Sequence, residues 1–270
     1  MRIWALIGLV TALSAGSPAW AEQSADAGLA AAVKTCDPPA NPAQVAADKQ
    51  EVDAAMSAFQ HGGYEALQPR LDNMQRVLDH APACYPLIEQ HGDDILVREE
   101  SPDIATTLIL VLGAAETQKH VNVRQDENVY GTASLLLGSY ANEMHHFDDA
   151  VRALDHGLAL QPSNQFLVLE KATALGQLHR FDEQVALLKA ELDSPEAQLS
   201  LDRARFERNL GIALIDTDQL DEAEAALNES IRLQPDNPRA RDELRYIAEV
   251  RAGRVPTTQG ITRAAPSPKP

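Results

Sequence analysis

Three consecutive or near-consecutive segments of this chain share one pattern, and a repeat constrains architecture more than any single motif does. GTASLLLGSYANEMHHFDDAVRALDHGLALQPSN, residues 131–164, is followed directly by QFLVLEKATALGQLHRFDEQVALLKAELDSPEAQ, and a third copy, ARFERNLGIALIDTDQLDEAEAALNESIRLQPDN, spans Ala204 to Asn237. Leu137-Gly138 returns as Leu210-Gly211, with Lys171-Ala172 as the weaker middle version. Phe147-Asp148-Asp149-Ala150 returns as Phe181-Asp182-Glu183-Gln184 and as Leu220-Asp221-Glu222-Ala223. Within the first copy Ala133, Leu136, Leu137, Tyr140 and Ala141 fall on one helical stripe, and Ala150, Leu154 and Leu158 form an i, i+4, i+8 stripe on the next. Two such amphipathic helices pack antiparallel, and small residues at Gly138, Ala150 and Gly211 allow them to approach. Asp148 and Asp221 are expected to cap the second helices, and Pro162 and Pro235 to end them.

These segments resemble the tetratricopeptide repeat (TPR), a helix-turn-helix unit of about thirty-four residues. The resemblance implies a mainly all-α fold, a TPR-type solenoid over 129–252. Pro238 to Ala252 reads as a charged capping helix of the kind a terminal unit requires. The second copy departs from the pattern at Gln184. Asp193-Ser194-Pro195 and the residues after it stretch the spacing to the third copy to thirty-nine, so that junction is expected to be looser. The resemblance also places the first helix of each unit on the inner side, where extended partner segments bind. Carried over by alignment, the inner positions are Thr132, Leu135, Ser139 and Asn142 in the first copy, Phe166, Leu169 and Thr173 in the second, and Arg205, Arg208 and Ile212 in the third. Arg205 and Arg208 stand one turn apart and can grip a carboxylate together, or pair with neighbouring Asp and Glu of the chain itself. The lysine and asparagine set with which some family members clamp a peptide carboxylate is absent from the matching positions.

The densest cluster of ligand-type residues, Glu143-Met144-His145-His146-Phe147-Asp148-Asp149, falls between the two helices of the first copy. His179-Arg180 and Asp218-Gln219 fill the same slot in the others, so the cluster reads as a recurrent turn and not as a metal centre. The remaining histidines, His61, His80, His91, His120, His156 and His179, are scattered near turns and polar faces. No HExxH, Gly-rich phosphate loop, nucleophile elbow or paired CxxC occurs. No catalytic residue, metal or cofactor is implied, and the expected activity is binding of a protein or peptide partner.

The first half is less regular. Asn41-Pro42 starts a helix running to about Gln60. His61-Gly62-Gly63-Tyr64 then turns into a second helix, from Glu65 to about His80, interrupted by Pro69, a degenerate fourth unit. From Cys84 to Val129 no repeat fits. Ser101-Pro102 opens another helix, and the branched residues of ILVRE before it and HVNVR after it have the character of strands that can pair, leaving room for a small β-hairpin. The carboxylates Asp93, Asp94, Glu99 and Glu100 keep open a second reading, an enzyme or sugar-binding site in residues 84–128 with the repeats as a docking arm.

The ends carry their own signals. Arg2, an apolar run from Ile3 to Ala15 and the ending Ala19-Trp20-Ala21 have the layout of a signal peptide over 1–21, too short to span a bilayer, which needs about 20 apolar residues. Export to a periplasm or beyond then places Cys36 and Cys84 where thiols oxidise, and a bridge between them is expected, two unpaired thiols being the alternative. Residues 22–40 read as a disordered linker, 41–128 as a mainly helical irregular region, and the acid-free 253–270 as a disordered tail. A net charge of −17 repels phosphate backbones, which argues against a nucleic-acid partner, and no membrane insertion is expected after cleavage; the oligomeric state is left open. Both tryptophans, Trp4 and Trp20, lie in the leader. Protein recovered after export is therefore expected to begin at Glu22 and to emit tyrosine fluorescence only, and indole emission from it would show that the leader is retained.

Overall fold

The computed structural model describes residues 32–99, 102–116, 122–194 and 202–254. The expected signal peptide, the rest of the expected linker before Ala32, the expected tail beyond Arg254, and residues 100–101 (Glu100 included), 117–121 and 195–201 lie outside the described residues. Helix α1 spans Pro42–Leu67 and α2 Leu71–Asp79; β1 spans Ile88–His91 and β2 Asp94–Val97; α3 is Pro102–Glu116 and β3 Asn122–Gln125. The repeats follow as α4 (Val129–Glu143) with α5 (Phe147–Leu160), α6 (Gln165–Gln177) with α7 (Phe181–Asp193), and α8 (Arg203–Asp216) with α9 (Leu220–Leu233), closed by α10 (Pro238–Arg251). The fold is a mainly α-helical, TPR-type solenoid carrying a small sheet in its N-terminal region. Among the described residues no helix is long and apolar enough to cross a membrane.

Each hairpin leaves an apolar face that its neighbour covers. α5 packs on both α4 and α6, α7 on α6 and α8, and α9 on α8 and α10. Of the expected stripes, Ala133, Leu136 and Ala141 on α4 and Ala150 and Leu154 on α5 are buried, and Leu137, Tyr140 and Leu158 are half-buried. Close approach depends on the glycines. A Cβ on Gly138 would sit 2.5 Å from the Leu154 side chain, and one on Gly211 would sit 2.6 Å from Leu227 and 3.2 Å from the Ala223 carbonyl oxygen. In the second copy the sizes are exchanged. Gln184 replaces the small residue and packs against Gly176, where the other copies carry Asn142 and Ile215.

The turn within each repeat is one backbone device used three times. His145, His179 and Asp218 adopt left-handed φ values of 59°, 57° and 60°. Their N–H groups donate to Asn142, Gly176 and Ile215, and the next N–H in each case donates five residues back, to Ala141, Leu175 and Leu214, at 2.8–2.9 Å. This double bond is the Schellman ending of a helix, usually built on glycine. The His145 and His179 rings also meet Phe147 and Phe181 edge-on, at 5.6 and 5.4 Å. Asp148 and Asp221 do not cap: the cap positions are His146, Arg180 and Gln219, none with a side-chain cap bond, and the acids lie in the first turn, facing the positive helix end. The true caps are Asn41, Asn128, Asn164 and Asn237, each accepting from a backbone N–H of the helix it opens.

The N-terminal region is more ordered than its composition indicates. α1 and α2 form a hairpin that packs on α4 as a preceding repeat would. Gly63, at φ 62° and ψ −154°, breaks α1 at the expected turn, and Pro69 falls in a short 3-10 segment, Gln68–Arg70, that separates it from α2. The two expected strands pair, but in parallel: Ile95 faces Val123 and Leu96 faces Arg124. The parallel pairing follows from the α3 crossover between them, and the antiparallel partner of β2 is β1, reached through a tight turn at Gly92. The described end of the stretch expected as linker is tied down, because Lys34 exchanges backbone hydrogen bonds with Ile88 and Gln90, and Cys36 is buried and bonded to Cys84. Closing that 48-residue separation stabilises the fold by about 4 kcal/mol in the chain-entropy account.

Two opposite effects on stability follow from these contacts. Gly138→Ala and Gly211→Ala are expected to destabilise by about 1–3 kcal/mol, overpacking outweighing the roughly 1 kcal/mol gain in helix propensity. His145→Gly and His179→Gly relieve left-handed strain and are expected to stabilise by about 0.5–1 kcal/mol each. Urea denaturation midpoints decide both signs.

Candidate partner-binding groove

The first helices α4, α6, α8 and α10 present equivalent positions side by side. Thr132, Phe166, Arg205 and Arg239 occupy one repeat position, and Leu135, Leu169 and Arg208 the position one turn further on. Leu135, Ser139, Phe166, Leu169 and Arg205 line one cavity of about 170 Å³. Its far wall is built by α1: Met56, Phe59 and Tyr64 close it, with Phe59 and Tyr64 rings 4.9 Å apart and Tyr64 edge-on to Tyr140 at 6.2 Å. Burial, and then the carboxylates of Glu170 and Glu143, push the Tyr64 phenol above its ordinary pKa, against a hydrogen bond with Ser139.

The other expected inner residues are distributed differently. Thr132 lines a separate cavity of about 510 Å³ together with Lys49, Asp53 and Glu127, and Met56 is the wall common to both. Lys49 there bridges Asp53 at 2.5 Å and Glu127 at 2.9 Å. Asn142 stitches α4 to α6, donating to the Glu170 carbonyl at 3.1 Å and its carboxylate at 2.9 Å, while its own Oδ1 is buried without a partner. Thr173 is exposed, and its hydroxyl donates to the Leu169 carbonyl at 3.0 Å. Ile212 and Arg208 are half-buried on α8 and line neither cavity.

The two arginines differ in what holds them. Arg205 pairs with Asp202 at 3.6 Å. Arg208 has no carboxylate within ion-pair distance among the described residues; Arg203, not Arg208, takes Glu207, at 3.1 Å. Burial, followed by the positive charges of Arg205 and Arg239, holds the Arg208 guanidinium below its ordinary pKa, with Asp202 as the opposing charge. Arg239, exposed at the start of α10, therefore belongs electrostatically with the α8 pair.

Of the carboxylates in the alternative reading, Asp94 is engaged within the sheet, accepting from Arg124 and from Asn122, both at 3.3 Å, and Glu99 is buried. The polar centre of residues 84–128 is a residue the sequence did not single out, Arg98. It is buried at the end of β2, where it faces Glu89 at 2.6 Å and Asp126 at 3.1 Å, donates to the Pro86 carbonyl at 3.0 Å and lies 3.9 Å over the Tyr85 ring. Glu89 Oε2 lacks the alignment of a hydrogen bond, so that attraction is chiefly Coulombic. Burial pushes the Tyr85 phenol up to about 12, although Arg98 pulls the other way. Tyr85 continues the chain of contacts: its hydroxyl donates to the Glu127 carbonyl, its ring meets Tyr130 edge-on at 4.8 Å, and the Tyr130 hydroxyl donates to buried Asp48 of α1 at 3.1 Å.

No protein-family model matches the chain, and no curated protein does. Among solved structures, a thermophilic TPR protein of Thermus thermophilus is similar at 16% identity over 75% of this chain and 98% of its own, with a TM-score of 0.38.

Removing Arg98 strands Glu89 in a site that is about 2% exposed. Arg98→Ala is expected to destabilise the chain by about 3–5 kcal/mol, the usual cost of an uncompensated buried charge, and Glu89→Gln in the same background to recover part of it. Denaturant unfolding of the parent chain and the two variants checks both steps.

Proposed function

We propose that this chain is an exported binding scaffold that holds an extended segment of another envelope protein along the face formed by its first helices. The observation that carries the reading is convergence. Side chains from α1, α4, α6 and α8, far apart in sequence, surround one largely apolar cavity rimmed by Ser139, Glu170 and Arg205. Apolar concavities with a few placed polar groups are the usual form of a recognition site. An extended segment suits the arrangement because its side chains alternate and can drop an apolar residue into the cavity while its backbone follows the helices. The disulfide supports the exported setting, since such bonds persist in oxidising compartments.

Selection of displayed random peptides of about twelve residues, roughly 40 Å when extended, tests the reading directly on the whole processed chain. Binders are expected to lose about tenfold or more in affinity on Phe166→Ala, as for a central aromatic contact. They are expected to be indifferent to Arg152→Ala, which removes an exposed ion pair with Asp149 on the outer helix α5. Binders equally tight on Phe166→Ala, or none at all, would remove the proposal.

A further inference from the structure

The cationic end of the same face specifies what the bound segment must carry. Arg205 and Arg208 project from one helix and Arg239 opens the next first helix at the repeat position that matches Arg205. Arg205 also lines the apolar cavity beside Phe166 and Leu169, so the cluster begins where that cavity ends. The carboxylate that acts on Arg208 is Asp202, which meets Arg205 at 3.6 Å; Glu170 also lines the cavity beside Arg205, and Asp242, at the Arg208 position of α10, pairs with Arg245. In a chain of net charge −17 a local excess of positive charge is unusual, and Arg208 holds its charge half-buried. Such a group gains most from an incoming anion, because its hydration has already been partly lost.

We infer that Arg205, Arg208 and Arg239 form a carboxylate subsite, and that the segment recognised by this face carries an aspartate or glutamate side chain a few positions along from the apolar residue that fills the Phe166–Leu169 cavity. The inference rests on the binding reading above and adds to it the chemistry and spacing of the partner. Neighbouring helices stand about 8–10 Å apart, and an extended chain advances about 3.3 Å per residue, so the acid lies about three positions from the apolar anchor. The overall negative charge of the chain does not cancel the subsite. At physiological ionic strength charges beyond about 8 Å are largely screened, whereas a carboxylate in contact with a guanidinium fork is not. A polyanion is disfavoured for the converse reason: its further phosphates run out over acidic surface.

The peptide selection supplies the test. Among binders that depend on Phe166, an acidic residue is expected about three positions from an apolar one. An Arg208→Gln, Arg239→Gln double variant is expected to weaken those binders about tenfold or more and, when used for selection itself, to yield peptides without the acid. Arg208→Lys, which keeps the charge but not the planar fork, is expected to fall between. Unchanged helical circular dichroism and unfolding midpoint show that the variants fold. Phe166-dependent binders with no acidic preference, or with a preference that survives the double variant, overturn the carboxylate subsite and leave the binding reading standing. An absence of Phe166-dependent binders overturns both.

Discussion

A helix hairpin of about thirty residues cannot bury both sides of its apolar stripe, and the whole molecule is organised around that insufficiency. α5 has Ala150 and Leu154 fully buried only because α4 approaches on one side and α6 on the other. The approach is set by Gly138 and Gly211, which bring a helix backbone into contact with Leu154 and Leu227 where any side chain would collide. In the middle unit Ala172 stands at the Gly138 position, and one turn on the sizes are reversed, Gln184 packing on Gly176 where the first unit has Ala150 and Asn142. Its cost is a buried Oε1 without a hydrogen-bond partner.

A stack built this way has two ends to cover, and the chain covers them differently. At the C-terminal end α10 is charged on its outer side, and Arg251 reaches back to Asp221 and Glu224 of α9, both at 2.5 Å. At the N-terminal end the α1–α2 hairpin packs directly on α4 in a core that includes Tyr85 and Tyr130, while the sheet has a small core of its own. Buried polar groups make that joint directional. Gln161 links the carbonyl of Tyr85 to Asn128 and Asn164, the caps of α4 and α6, so the sheet is keyed to the first repeat by hydrogen bonds that a shifted packing would leave unmade.

Bringing the first helices together has an electrostatic result that no single helix carries. In the cavity beside the apolar one Lys49 holds Asp53 and Glu127, whereas on α8 Arg208 has the charges of Arg205 and Arg239 as neighbours and Asp202 in opposition. The face therefore changes character along the stack, from paired charge through an apolar centre to an excess of cation. In the proposed binding, such a gradient gives the segment a preferred direction.

Much of this was legible because repeats report themselves locally. The spacing of Leu137-Gly138 and Leu210-Gly211, the Phe147 and Phe181 helix starts and the Asn-Pro openings each state a helix boundary within a few residues of chain. Leu135, Ser139, Phe166, Leu169 and Arg205, expected on the inner side from the resemblance alone, line one cavity. The sequence by itself determined the helical hairpins, their turns and the stripes that must be covered, since those depend on backbone propensity and on a periodicity of 3.6 residues. Only the tertiary structure decided that α1 supplies Met56, Phe59 and Tyr64 to the cavity, that Arg98 is the buried partner of Glu89, and that Asn142 is consumed in holding α6. The cavity wall and the Asn142 bonds join residues tens of positions apart, and none of these contacts follows a shared period, so their geometry exists only once the stack has closed around them.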